Sequence, residues 1–406
     1  MSSGRVRQKE NVFSFVEDGL GWHAVAVDVE SGGRATTEQA DRLAFAFQEF
    51  ADHAARKLPL YRYLAQRVAG DAEVGARLLL APPMQQIPNL LFAAVHDLLL
   101  GGEGHDLAAW YGSITKPVRP IGEGDDDPWP LFRELALTDR HVAQSLRTRS
   151  TQTNEVGRCT ALLPALAQVA AQAPGAPPNG FRPLGLVEVG ASGGLNLLFD
   201  HYGYCYEPSG PELNAGSALT LSCTLRGPVV PPVPAEFPPI ASRVGLDLAP
   251  VNVSDRLQSR WLVACQWPDQ PDRIHRARTA IALAHGDRPE VVAGDAVADL
   301  APLVEGVGDY ALPVVFATWA LAYLTADHQR AFMAELDRLA EARDVSLVLA
   351  ERPAFVTGID MAPRPDGVPD AMATALVRFD WRDGARTATR LADLHPHATW
   401  LEWLAP

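Results

Sequence analysis

Apolar positions follow two different spacings along this chain, and the spacing changes near residue 150. In the first third they recur three or four residues apart, as on one face of an α-helix. Thr36 and Gln39 have the spacing of a capping box ahead of an apolar stripe that starts at Leu43. Further helices, without a strand pair, are predicted over 71–80, 88–100, 107–111 and 128–147. Residues 1–150 are therefore predicted to form a helical cap domain.

After residue 150, short apolar runs alternate with helical patterns. The runs typical of buried strands are 184–189, 244–247, 291–295, 313–318 and 345–350. Strands separated by helices predict a mostly parallel sheet covered on both faces. The turn Arg382-Asp383-Gly384 joins two alternating segments, which predicts an antiparallel hairpin at the C-terminal end of the sheet. Residues 151–406 are therefore predicted to form an α/β domain.

Residues 204–240 interrupt this alternation. They contain two strand-like pieces, around Tyr204 and over 219–225, followed by a proline-rich stretch over 227–239. We interpret the segment as an inserted hairpin and loop. It is expected to lie at the edge of the sheet and to add no strand to the parallel centre.

The first predicted strand runs directly into a glycine-rich turn. Gly190, Gly193 and Gly194 follow Val189, and a helical apolar pattern starts at Leu195. Glycine lets the backbone approach a ligand closely and adopt positive φ. A helix start offers unpaired N–H groups and the positive end of its dipole to a carboxylate or phosphate. The turn therefore predicts a ligand site, with simple reversal of the chain as the alternative.

Acidic residues end the next two predicted strands. Asp247 follows Glu188 by 59 positions, and 22 remain when the 37 residues of the insert are removed. An acid about 20 residues after a glycine turn holds the ribose hydroxyls in nucleotide-binding folds. Asp295 ends the third strand, where a carboxylate could accept the amine of an adenine. The alternatives are that Asp247 stabilises the turn before Pro250 and that Asp295 caps the following helix.

This order of motifs resembles the class I S-adenosylmethionine-dependent methyltransferase fold. The first motif of that fold, acid–x–Gly–x–Gly–x–Gly, is matched by Glu188, Gly190 and Gly194, with Ser192 in place of the middle glycine. The resemblance implies a Rossmann-like sheet with a C-terminal antiparallel hairpin and S-adenosylmethionine as cofactor. It implies that the cofactor-binding residues are Glu188, Gly190, Ser192, Gly194, Asp247 and Asp295.

A closer resemblance covers almost the whole chain. Four strings resemble the bacterial family called domain of unknown function 2332, namely residues 88–96, 152–158, 188–196 and 260–268. This family implies a methyltransferase-like core and does not itself name a reaction.

Two further pairs of residues are candidates for the site. Asn154 and Arg158 precede the glycine strand, where they could face the amino-acid end of the cofactor, although Arg158 could instead pair with Glu155 at the i, i+3 spacing. Trp319 and Tyr323 follow the fourth strand, where methyltransferases often contact substrate, or they belong to the core. His96 lies on an apolar helix face and is expected to be a buried histidine with its hydrogen bonds satisfied.

Composition excludes several classes of protein. The formal charge of −14 argues against nucleic-acid binding, and no apolar run reaches the roughly 18 residues of a membrane span. Lysine occurs only at Lys9, Lys57 and Lys116, which excludes both a Tyr-x-x-x-Lys dehydrogenase after the glycine turn and a P-loop. The four cysteines are scattered, so neither disulfides nor a metal site is expected. The protein is expected to be cytoplasmic.

The sequence thus predicts transfer of a methyl group from S-adenosylmethionine to a small-molecule substrate. The alternative is a protein that keeps this fold for ligand binding or interaction without the reaction. The sequence identifies no catalytic base and leaves the oligomeric state open.

Overall fold

The structure is a computed structural model that describes residues 11–15, 22–26, 36–102, 104–359 and 373–405. The chain forms two compact units. The first consists of Met1–Thr153 with Arg260–His275, and the second of Asn154–Ser259 with Arg276–Pro406. The segment Arg260–His275, which the sequence placed within the α/β part, thus belongs to the first unit.

Helices dominate the described part of the first unit. They include α1 (Thr37–Glu49), α2 (Pro59–Ala69), α3 (Ala72–Gly75), α4 (Pro88–Leu100), α5 (Trp129–Thr138) and α6 (Arg140–Thr148). The predicted capping box is confirmed, because the Thr36 hydroxyl accepts from the Gln39 amide at 3.2 Å and the Thr36 amide donates to the Gln39 side chain at 3.0 Å. The predicted helix at Pro88 is also confirmed.

The first unit also contains a strand pair, so the expectation of a first third without one was wrong. Strands β1 (Asn11–Phe15) and β2 (Trp22–Ala26) pair in antiparallel register. Each strand has only five residues, too few for alternation to stand out from the surrounding sequence.

His96 on α4 is buried, and its ring is hydrogen-bonded as expected. Nδ1 lies 3.0 Å from the carbonyl oxygen of Ala264, and Nε2 lies 2.7 Å from the Ser113 hydroxyl. A carbonyl oxygen only accepts, so Nδ1 carries a proton and donates to Ala264. The ring therefore joins Ala264, in the segment Arg260–His275, to α4.

The second unit is built on one sheet with strands from both halves of its sequence. Its strands are β3 (Leu184–Val189), β4 (Gly203–Glu207), β5 (Glu212–Leu213), β6 (Thr220–Arg226), β7 (Ile240–Asp247), β8 (Glu290–Ala293), β9 (Leu312–Thr318), β10 (Val345–Glu351), β11 (Thr374–Arg382), β12 (Ala385–Leu394) and β13 (Trp400–Trp403). Its α-helices include α7 (Cys159–Gln172), α10 (Leu300–Glu305) and α11 (Ala326–Leu339). Two more, α8 (Arg256–Ala264) and α9 (Pro271–Ala284), each belong partly to the first unit. None of the helices in the described ranges is long and apolar enough to cross a membrane.

The eleven strands follow the order β5-β4-β6-β13-β12-β11-β10-β9-β3-β7-β8. The five strands from β10 to β8 are parallel, which confirms the mostly parallel sheet. The hairpin of β11 and β12 is also confirmed, with Asp383 at φ 49° and Gly384 at φ 74° in its turn. These positive values fit the turn that joins twisted antiparallel strands.

The segment 204–240 lies at the edge opposite β8 and adds no strand to the parallel centre, as expected. Its two predicted strand pieces, β4 and β6, pair in parallel with each other. The hairpin in this segment is instead formed by β4 with the two-residue strand β5. Strand β6 then pairs with β13, which the sequence analysis did not predict.

Candidate functional site

The carboxyl ends of the parallel strands meet at one edge of the sheet, and the strand order reverses between β3 and β9. Ligands of doubly wound sheets bind in the crevice where this reversal occurs. The glycine turn lies there. The Gly190 amide donates to the Leu246 carbonyl of β7 at 2.8 Å, and a Cβ on Gly190 would lie 2.4 Å from Cβ of Ala320, which follows β9.

The turn takes the backbone conformation that the glycines predicted. Gly190, Ser192 and Gly194 have φ values of 72°, 55° and 71°. Ser192 thus adopts the left-handed conformation at the position of the missing middle glycine, where a side chain is disfavoured. Its hydroxyl oxygen is buried and has no hydrogen-bond partner among the residues described. A buried polar atom in this state points to a ligand or water that satisfies it.

The helix predicted after the turn is wrong in type. Leu195–His201 is a 3₁₀ helix in which Leu198 departs from helical φ and ψ. The hydroxyls of Tyr202 and Tyr204 donate to the carbonyls of Leu195 and Phe199, at 2.6 Å and 2.5 Å. These side chains take acceptors that an α-helix would use for its own backbone, and the chain enters β4 at Gly203. The α-helix N-terminus on which the expected anion binding rested is therefore not formed, and anion binding at this turn stays a prediction.

Asp247, the last residue of β7, and Asp295, which follows the end of β8 at Ala293, both accept hydrogen bonds from backbone amides. Asp247 accepts from the Ser192 amide and the Ala249 amide, each at 2.8 Å and each on a different carboxylate oxygen. Asp295 accepts from the amides of Val297 and Ala298, and these bonds lower the pKa of its carboxyl. The turn interpretation of Asp247 thus has support, whereas Asp295 lies ahead of α10, whose N-cap is Asp299. A carboxylate has about four acceptor positions, so each acid keeps capacity for a ligand.

Glu188 is fully buried next to the turn. Its Oε1 accepts from the Asn196 amide at 2.9 Å, while Oε2 has no partner in the described parts of the chain. Burial raises the pKa of Glu188 to about 8, against the lowering effect of the Asn196 bond, and the charge of Asp247 raises it further. Glu188 is therefore protonated at neutral pH and can donate a hydrogen bond as well as accept one.

The raised pKa of Glu188 predicts a pH-dependent stability. Because the folded pKa of about 8 exceeds the ordinary 4.5, the folded state holds the proton more tightly, and stability falls as pH rises between these values. Glu188→Gln mimics the protonated form. We expect its free energy of unfolding to match that of wild type near pH 4.5. Above about pH 8 it should exceed that of wild type by at least about 1.4 kcal/mol, the equivalent of one pKa unit.

Urea unfolding over this pH range measures the difference. The control is Glu341→Gln, which changes an exposed side chain. Its plot of unfolding free energy against pH should stay parallel to that of wild type. A Glu188→Gln curve that also stays parallel to wild type would contradict protonation of the buried acid.

Arg158 and Asn154 are both buried against the same edge. The guanidinium of Arg158 donates to the carbonyls of Thr318 and Pro396, each at 3.0 Å, and thus joins the end of β9 to the loop after β12. Asn154 accepts from the Leu195 amide at 3.0 Å. The alternative partner of Arg158, Glu155, lies 3.4 Å from Arg276 and accepts from the Gly157 amide.

Trp319 and Tyr323 differ sharply in environment. Tyr323 is 59% exposed, so it does not belong to the core. Trp319 is half-buried and has φ 56°, a genuine outlier for a bulky residue. The ring N–H donates to the Thr374 hydroxyl at 2.8 Å and the backbone amide to the Ala350 carbonyl at 3.0 Å. Strain of this kind persists only where the surroundings fix it, and it clusters at functional sites.

Sequence reasoning missed two residues at the end of β10. Glu351 is fully buried, and its Oε1 accepts from the amides of Ala320 and Leu321, at 2.6 Å and 2.9 Å. Burial raises its pKa to about 7, against those two hydrogen bonds. The guanidinium of Arg352 lies 4.7 Å from the Trp319 ring centre. The rule that flagged Asp247, an acid at a carboxyl strand end, would also have found Glu351.

A family model described as "Uncharacterized protein conserved in bacteria" (DUF2332) matches residues 44–403. The chain belongs to this family. No curated protein and no solved structure matches it. Since the DUF2332 description names no reaction, the chemistry of this member rests on its own residues.

The polar residues of this DUF2332 chain suit an organic ligand. Within the ranges that the structure covers, no group of three or more His, Cys, Asp or Glu side chains could hold a metal ion. The edge combines buried acids of raised pKa, an arginine, a glycine turn that is exposed at Gly190, and orphaned oxygens on Ser192 and Glu188. Such groups can hold a polar small molecule and exchange a proton with it.

Proposed function

We propose that the α/β unit binds S-adenosylmethionine at the carboxyl edge of its sheet and transfers the methyl group to a small molecule. One observation carries the proposal: a glycine turn follows β3 and an acid ends β7 at the point where the strand order reverses. This is where nucleotide-type ligands bind in doubly wound sheets.

The residues of the edge fit the polar groups of such a ligand. Asp247 would hold the ribose hydroxyls with the acceptor positions that Ser192 and Ala249 leave, and Asp295 would accept the adenine amine. The orphaned oxygens of Ser192 and Glu188 are buried beside the turn, where a bound polar molecule would satisfy them.

The chain itself would position the acceptor and handle its proton. Bound S-adenosylmethionine supplies an electrophilic methyl group. Alignment of a nucleophile with that group provides much of the acceleration in such transfers, without a metal or a covalent residue. We assign Glu351 to accept the proton of the nucleophile, because its pKa of about 7 is matched to neutral pH and its Oε2 has no partner among the described residues.

Isothermal calorimetry of the full chain tests the binding step. We expect S-adenosylmethionine and its demethylated product to bind, while NAD, which shares the adenosine but belongs to dehydrogenases, does not. Absence of binding heat with both S-adenosylmethionine and its demethylated product at millimolar concentration would overturn the proposal. Preferential binding of NAD would also overturn it.

One observation favours the second candidate, a protein that keeps this fold for ligand binding or interaction without the reaction. A Cβ on Gly190 would meet Ala320, and one on Gly194 would lie 2.8 Å from Pro289 and 2.9 Å from Val291. Part of the space that glycines leave is thus occupied by the chain itself. Binding of the demethylated product with no methyl transfer to any tested acceptor would favour this candidate.

A further inference from the structure

Arg352 is a cation in an unusual position. It follows the last residue of β10, and its Nε is buried without a hydrogen-bond partner among the described residues. Burial lowers the pKa of its guanidinium, while the interactions with Tyr323 and Glu351 raise it. A buried charged donor without a partner is costly, so a group that satisfies it is expected.

The indole of Trp319 brings a second cation to the same place. Its ring centre lies 4.7 Å from Cζ of Arg352 and 5.7 Å from Cζ of Arg158. Arg158 donates to the backbone carbonyls of Thr318 and Pro396. Two guanidinium groups thus share one aromatic ring at the reversal point of the sheet.

Two hydrogen bonds fix Trp319 in its strained conformation. Its backbone amide donates to the Ala350 carbonyl, and its ring N–H donates to the Thr374 hydroxyl. The ring is half-buried, so one part of it can be contacted by a ligand. A flat apolar group stacks well on such a ring.

We propose that Arg352 and Trp319 bind a small organic carboxylate, with its charged group on the guanidinium and its apolar body on the indole. A carboxylate matches the planar fork of arginine, while the nearby Glu351 carboxyl disfavours a doubly charged phosphate. Only the role of this carboxylate as the methyl acceptor rests on the proposed function. The binding site itself stands on Arg352 and Trp319.

Fluorescence titration of the full chain with benzoate, benzamide and phenyl phosphate tests the site. We expect benzoate to bind in preference to both other probes. Arg352→Gln should weaken benzoate binding by about 10- to 150-fold, which corresponds to the roughly 1.5–3 kcal/mol of a charge-assisted hydrogen bond. Arg352→Lys should recover part of the affinity, because it keeps the charge and loses the fork.

The matched control is Arg330→Gln, on a guanidinium that is 67% exposed, which should bind benzoate like wild type. Circular dichroism melts show whether each variant is folded. Equal binding of benzoate and benzamide, or unchanged benzoate binding by folded Arg352→Gln, overturns the site. Tighter binding of phenyl phosphate overturns the choice of carboxylate. If benzoate binds through Arg352 while S-adenosylmethionine does not bind, the proposed function fails and the carboxylate site stands.

Discussion

Asp97→Ala should destabilise the first unit by about 3–5 kcal/mol, the range observed when one partner of a buried ion pair is removed. Asp97 on α4 is only 1% exposed and accepts two hydrogen bonds from Arg260, at 2.7 Å and 3.1 Å, and one from His141 at 2.7 Å. Although burial alone raises the pKa of Asp97, the bonds from His141 and Arg260 hold it below its usual value. The carboxylate is therefore charged, and its loss strands the Arg260 guanidinium.

This prediction tests the assignment of Arg260–His275 to the first unit, because Arg260 joins that segment to α4. The control is Asp126→Ala, which removes the partner of Arg119 in an ion pair whose side chains are 39% and 49% exposed. Exposed pairs contribute about 0–1 kcal/mol. Urea unfolding of both variants measures the difference. An Asp97→Ala variant no less stable than Asp126→Ala would contradict the account, and Arg260→Met combined with Asp97→Ala should recover part of the loss.

Gly190→Ala should cost about 2–5 kcal/mol, the sum of a left-handed backbone penalty and an overpacking penalty. Gly190 has φ 72°, and the added Cβ would lie 2.4 Å from that of Ala320. Ala320 cannot move away easily because its amide donates to the buried Glu351 carboxyl.

Two variants separate the causes. Gly175→Ala has a similar φ of 78° and nothing within 4 Å of the new Cβ, so it should cost only about 1–2 kcal/mol. Ala320→Gly in the Gly190→Ala background removes the contact and should recover the overpacking part. Thermal melts measure all three. Equal losses for Gly175→Ala and Gly190→Ala would show that the turn is not packed against the loop after β9.

The glycine turn after β3 shows which structural features the sequence could predict and which it could not. The apolar run over 184–189 predicted the strand, and the glycines after it predicted the turn and the positive φ values, because these features depend on neighbouring residues. Ala320 and Pro289, which fill the space beside Gly190 and Gly194, are distant in sequence. Only the pairing of β3 with its neighbours in the sheet brings them to the turn, so the local pattern could not reveal how much room a ligand has.

The helix after the turn shows a different limit. The apolar residues from Leu195 to Phe199 have a helical spacing, yet the hydroxyls of Tyr202 and Tyr204 capture two of the carbonyls and the chain turns into β4. Periodicity describes the side of the chain that is buried and does not show competition for backbone acceptors. Arg352 was missed for a related reason, since its lack of a partner for Nε exists only in the fold.

Titration of S-adenosylmethionine into Asp247→Ala, Asp247→Asn and wild type tests whether Asp247 holds the ribose of the cofactor. Charge-assisted hydrogen bonds of roughly 1.5–3 kcal/mol predict a weakening of about 10- to 150-fold for Asp247→Ala. Asp247→Asn should recover part of the affinity, because an amide keeps one acceptor oxygen. Circular dichroism melts of the same samples separate binding from folding, since Asp247 also holds the Ser192 amide. We expect both variants to remain folded and to bind S-adenosylmethionine more weakly than wild type. A wild type without affinity at millimolar ligand would contradict this role of Asp247. So would an Asp247→Ala variant that melts at a lower temperature but, while folded, binds S-adenosylmethionine like wild type.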